Sequence, residues 1–243
     1  MDLAYKFNEA GCSMYQDGEM DVAFDMFCGA MQALHYSCQI PDRDLTIDSK
    51  MMLLTDPSVQ RAFDHIGVEP RPIGVAQSDR KTASRLIVEE ISFVWTRVIS
   101  IQQLIGTGCQ YDQATWFALV KSVVYFNQAL ILHSGLVQVG KRALERSLTL
   151  YSMALKQLFE FCPKDALQCN PYAITLTCAV LNNTGYLLYE TGEFECSRLC
   201  FTRMNQFLTQ LGPPMSTEDR KHREEFGLNV LIFWRPLTAA GAA

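Results

Sequence analysis

The chain has 243 residues, 49% of them hydrophobic and 19% charged, the proportions of a globular protein with enough apolar side chains for a sizeable core. Its 21 Lys and Arg against 26 Asp and Glu leave a net charge of -5, which speaks against neutralising a phosphate backbone and so against nucleic acid as the main partner. The negative charge is uneven: residues 1–78 hold 12 acidic and 5 basic side chains, so a basic partner surface would meet the N-terminal third.

The opening "MDLAYKFNEA" carries acidic residues and no long apolar run, unlike a secretory signal or a basic amphipathic transit peptide. No run of about 18 uninterrupted apolar residues occurs, so no membrane partner is expected. Nine cysteines, an odd number without CxxC pairs, point to a reducing compartment, with the cytoplasm expected and the nucleus as the alternative.

Residues 1–35 read as a helical hairpin split at Gly18, with Phe7, Ala10, Gly11 and Met14 on one helix and Ala23, Phe27 and Ala30 on the next. Gly11 and Ala23 are small where paired helices must approach, and Phe27 fills the space beside them. Residues 36–111 form an insertion that begins with the turn-prone "IPDRD" and "GVEPRPIG". Within it "RLIVEEISFVWTRVISI" fits a helix through Ile87, Ile91, Val94, Trp95 and Val98. Its β-branched richness and alternation favour extended structure. So apolar a run must be packed against something, and the nearest uncovered surface is the groove of the hairpins it leaves and rejoins or the junction between them.

Residues 112–161 read as one long helix from Asp112 followed by a second hairpin, with Gly135, Tyr151 and Ala154 placed in the register of Gly11, Phe27 and Ala30. Residues 162–177 form a connector in which Pro163 and Pro171 end one helix and start the next. Residues 178–211 repeat the first hairpin: Leu181 matches Phe7, Gly185 matches Gly11, Tyr189 matches Tyr15, Gly192 matches Gly18 and Phe201 matches Phe27. Residues 212–243 hold a terminal cap helix, started by a capping box of Ser216 and Asp219 and carrying Phe226, Val230 and Phe233, and then a tail.

A recurring helix-turn-helix unit of 34 residues with these small and aromatic positions resembles the tetratricopeptide repeat. About three degenerate units are present, separated by insertions, with Arg142 in place of the turn glycine in the second. The resemblance implies a mainly α fold: an α-α superhelix of hairpins forming one domain, with an irregular, partly extended insertion and a C-terminal cap helix. It also implies a non-catalytic scaffold or adaptor that binds a peptide or protein segment in a concave groove lined by the first helices. In such repeats asparagines on those helices bond the main chain of bound peptides, and Asn182 and Asn183 are similar to the "LNN" of kinesin light chain repeats. Carried over residue by residue, the groove would show Asn8, Cys12, Leu132, His133, Leu136, Asn182, Asn183 and Tyr186. The lysines and arginines of the family's carboxylate-clamp subset are missing, with Asn8, Cys12, Ala129, His133, Ala179 and Asn183 in their places.

Catalytic and metal chemistry find little support. The four histidines have no HExxH spacing and no GxSxG or phosphate-loop partner, Glu89 and Glu90 point to different faces, and Cys196 with Cys200 supplies two of the four donors that zinc needs. No catalytic residue, metal or cofactor is therefore expected. Two other roles stay open: a structural subunit of a larger assembly, and a regulatory protein holding a small ligand under the insertion. The Asn182 and Asn183 amides likewise allow two readings, pairing with a neighbouring repeat or contact with a ligand.

Overall fold

The computed structural model describes residues 2–38, 94–134 and 141–233, and among these the chain is mainly helical with no strand. The first hairpin is α1 (Asp2–Gln16) and α2 (Met20–Cys38). Its turn is dictated by Gly18, whose φ of 83° lies where a side chain would be strained. Gly18 N–H donates to the Tyr15 carbonyl and Glu19 N–H to the Met14 carbonyl, so the orphan carbonyls of α1 are closed off by a Schellman motif. A Cβ added at Gly11 would lie 2.6 Å from the Phe27 ring, which is why that position is bare. The third hairpin, α7 (Pro171–Glu190) and α8 (Phe194–Gln210), repeats each device: Gly192 has φ 83°, Glu193 N–H donates to the Leu188 carbonyl, and a Cβ at Gly185 would lie 2.7 Å from the Phe201 ring.

Between them come α3 (Ile101–Ile105), α4 (Gln113–Ser134), α5 (Lys141–Phe161) and α6 (Lys164–Gln168). Asp112 starts α4 by accepting the Thr115 N–H at 2.7 Å. Tyr151 takes the place of the phenylalanines in this middle hairpin, fully buried beside Phe126 with ring centroids 5.8 Å apart. Gly135, on which the sequence register of this unit was anchored, lies outside the described residues, as do 36–93 for the most part.

The helix α7 (Pro171–Glu190) starts seven residues before the expected boundary at 178, shortening the connector. The reason is local: Asn170 caps it, its side-chain oxygen accepting from the Tyr172 and Ala173 N–H groups, and Pro171 sits at the first helical position where it forfeits no bond. After α8 (Phe194–Gln210), α9 (Thr217–Phe233) is the expected cap helix. Ser216 Oγ accepts the Asp219 N–H at 3.0 Å, but the Asp219 carboxylate returns to the Met215 N–H rather than to Ser216. The same carboxylate takes two 2.7 Å hydrogen bonds from Arg223, a bidentate pair.

The hairpins pack in chain order: α2 against α4, α5 against α7, and α9 against both α7 and α8. One continuous core follows this order, from Ala4 and Ala30 through Leu119 and Tyr151 to Phe201 and Phe226. Each fully buried aromatic in it contributes roughly 1.5–3 kcal/mol by area. The central α4 is long and apolar enough to cross a membrane by composition, but 78% of that window is buried between its neighbours, which explains the composition as that of a core helix.

Candidate functional site

Residues 94–100 have no helical structure and run across the first helices of the hairpins before entering α3. An extended backbone without a neighbouring strand leaves its N–H and C=O groups without ladder partners, so buried positions need side chains to satisfy them. Two asparagines do this identically. Asn183, on α7, accepts the Trp95 N–H at 2.8 Å and donates to the Trp95 carbonyl at 2.9 Å. Asn127, on α4, accepts the Ile99 N–H at 2.9 Å and donates to the Ile99 carbonyl at 2.8 Å. Both asparagines are completely buried.

The clasps belong to a longer polar row. Asn127 also donates to Asn8 at 3.1 Å, and Asn8 reaches the Ile99 carbonyl at 3.5 Å. Asn183 accepts from Asn182 at 3.2 Å and donates to the Tyr151 hydroxyl at 3.1 Å, which fills all four of its hydrogen-bonding positions. Asn182 in turn accepts from Asn229 at 2.6 Å, tying the row to the cap helix. Glu9 fixes the downstream end by accepting from Ser100 Oγ at 2.5 Å and the Ile101 N–H at 2.8 Å, while Tyr15 donates to the Thr96 carbonyl at 3.0 Å.

Side chains of the segment are sorted by the same geometry. Trp95 and Ile99 are each 4% exposed, whereas Thr96 and Arg97 face outward. The Trp95 ring stacks on Phe226 at 5.0 Å and meets His222 edge-on at 4.7 Å. Arg97 lies over the Trp95 ring at 5.3 Å and contacts His222 Nε2 at 3.1 Å. Burial, opposed by nearby Glu218 and aided by Arg97, lowers the His222 pKa.

Of the groove residues read from sequence, Asn8, Cys12 and Asn183 touch the segment directly, Cys12 Sγ lying 3.6 Å from the Ile99 carbonyl. Burial, reinforced by the Glu9 charge, pushes the Cys12 thiol up to about 12, so it acts as a neutral, weak donor. Asn182 stands one step behind: Asn183 bonds the main chain of the chain's own segment, whereas Asn182 pairs with Asn183 and Asn229. His133 stands behind Tyr151, its Nδ1 3.3 Å from that hydroxyl, with burial pulling its pKa down to about 4. Tyr186 is half-buried with its ring 6.3 Å from His133, Leu132 is half-buried on α4, and Leu136 lies outside the described residues.

Sequence reasoning passed over Asn127, because the register hung on Gly135 placed Leu132 opposite Asn8. The signal was nevertheless present: "YFNQAL" sets an asparagine in an apolar helix, as "LNN" does. Among the described residues no three His, Cys, Asp or Glu side chains are grouped to hold a metal. The chain matches no protein-family model, no curated protein and no solved structure.

Proposed function

We propose that the chain is a non-catalytic, tetratricopeptide-like module that binds an extended peptide or protein segment along the first helices of its hairpins, and that residues 94–100 occupy this face as a resident stand-in. The observation that carries the reading is the paired clasp: Asn127 and Asn183 each bond both main-chain groups of one residue, four positions apart on an extended segment. Such contacts recognise backbone rather than sequence, the mode by which a surface accepts peptides of varied composition while pockets select side chains. The stacking of three hairpins in chain order supports the repeat-like scaffold this requires. A partner would exchange with the resident segment.

Binding in trans tests this. A fluorescein-labelled peptide, VWTRVIS, is titrated into the full chain carrying Trp95→Ala and Ile99→Ala, with circular dichroism confirming that the helices persist. Saturable anisotropy is expected, weaker in the unsubstituted protein where the segment competes, and abolished when Asn127→Ala and Asn183→Ala are added. Absence of binding to a folded Trp95→Ala, Ile99→Ala variant would count against the reading.

A further inference from the structure

The loop that leads from α3 to α4 and the turn that leads from α6 to α7 each bring a cysteine to one point. Asn170 organises that point. While its oxygen caps α7, its amide nitrogen donates to the Leu104 carbonyl at 3.2 Å, to Thr107 Oγ1 at 3.0 Å and to the Tyr111 hydroxyl at 2.8 Å. Both backbones are thereby held against one another, with Cys109 on one and Cys169 on the other. Cys109 Sγ lies 3.2 Å from the Cys169 carbonyl oxygen. Cys169 is exposed and Cys109 half-buried, so small solutes reach them.

We propose that Cys109 and Cys169 form a redox-active dithiol, oxidised by hydroperoxides to a disulfide that staples the α3–α4 loop to the start of α7. Cys109 is the attacking group. Partial burial alone would raise its pKa, but the polar surroundings supplied by Thr107, Cys169 and Tyr111 outweigh burial and bring it below the ordinary thiol value. Burial shifts Cys12, Cys28, Cys162, Cys178, Cys196 and Cys200 the other way, and Cys169 is also raised, so among the described cysteines the thiolate is concentrated at Cys109.

The Cys109 thiolate attacks one peroxide oxygen, the O–O bond breaks, and hydroxide leaves and is protonated to water, giving a sulfenic acid. The Cys169 sulfur, losing its proton, then attacks the Cys109 sulfur; the S–O bond breaks, a second water leaves, and the S–S bond forms. Two thiols have lost two electrons and one hydroperoxide has gained them. The bridge spans 60 residues of chain and fixes the anchor immediately downstream of the clasped segment. It does not depend on the peptide-binding reading.

The test uses the full chain and hydrogen peroxide at a few molar equivalents, quenched with N-ethylmaleimide and read by intact mass and peptide mapping. The expected product is lighter by two hydrogens, carries a Cys109–Cys169 cross-linked peptide, melts roughly 5–10 °C higher, and returns to the starting mass with dithiothreitol. Cys169→Ser is expected to halt at a Cys109 sulfenic acid that dimedone traps, whereas Cys109→Ser slows oxidation at least tenfold. Cross-links spread among other cysteines, failure to form the 109–169 peptide, or equal oxidation rates in the two serine variants would each overturn the proposal.

Discussion

Replacing Asn183 by alanine removes one side chain and leaves two main-chain groups of Trp95 buried without partners. The N–H loses a 2.8 Å bond and the carbonyl a 2.9 Å bond, while Tyr151 keeps His133 as a partner. Each orphaned buried group costs about 1–3 kcal/mol, and water entering the vacated volume offsets part of this, so a loss of roughly 2–4 kcal/mol is expected. For a chain of this size that corresponds to a fall in Tm of about 5–15 °C. Urea unfolding gives the energy, and native-state hydrogen exchange at the Trp95 and Ile99 amides locates it: protection should collapse at Trp95 and weaken less at Ile99, which Asn127 still holds. Asn183→Asp keeps the shape but turns the donor facing the Trp95 carbonyl into a second acceptor, and should cost at least as much at neutral pH. Asn205→Ala, on the partly exposed side of α8, should stay within about 0.5 kcal/mol. If Asn183→Ala lost less than about 1 kcal/mol and left Trp95 exchange unchanged, the clasp would not be what holds the segment.

Two further outcomes follow from the same geometry. Gly11→Ala adds a methyl 2.6 Å from a fully buried Phe27 ring and should destabilise by about 1–3 kcal/mol despite alanine's better helix propensity, whereas Gly227→Ala, with nothing within 4 Å, should stabilise by about 0.5–1 kcal/mol; the opposite signs are read from paired urea titrations. Burial holds His133 neutral down to about pH 4, while the unfolded chain protonates it near its ordinary value of 6.5, so its contribution is complete above about pH 6.5 and is lost as pH falls towards 4. The accumulated loss is on the order of 3 kcal/mol, and His133→Gln should flatten the dependence of Tm on pH across that window.

What was legible in the sequence is what sterics writes at fixed spacing. Gly11 and Gly185, each facing an aromatic sixteen residues on, and the turn glycines Gly18 and Gly192 that bend the chain within each such hairpin, can be matched without a structure because each leaves a missing side chain as its mark. The non-helical course of residues 94–100 was legible in the β-branched run, and Asn183 in the oddity of an amide inside an apolar helix. Asn127 carried the same oddity but was hidden by a repeat register resting on Gly135. Glu9, Tyr15, Tyr151, His222 and Phe226 were not legible, since each is ordinary in its own helix and meets the segment across long stretches of chain. The start of α7 at Pro171 agrees with the reading of that proline as a helix start, but the repeat register set the hairpin boundary at 178 and so missed the first turns, which the cap on Asn170 begins.

The division of labour along residues 94–100 bears on what could compete with them. Main-chain groups at Trp95 and Ile99 are met by asparagines, and those groups are the same in any non-proline residue, so this part of the attraction is indifferent to sequence. At the outward positions the carbonyls are met instead, that of Thr96 by Tyr15 and that of Arg97 by Trp95 Nε1. Discrimination must therefore come from the two inward side chains. One is an aromatic seated between Phe226 and His222, and the other an aliphatic packed in the core. Four extended residues span about 13 Å, a spacing that a helical segment would shorten to about 6 Å, so a helix cannot satisfy both clasps at once. Under the peptide-binding reading, a competitor is thus an extended chain with an aromatic and an aliphatic side chain four residues apart and no proline at either. A cation two residues after the aromatic adds the ring contact that Arg97 now makes.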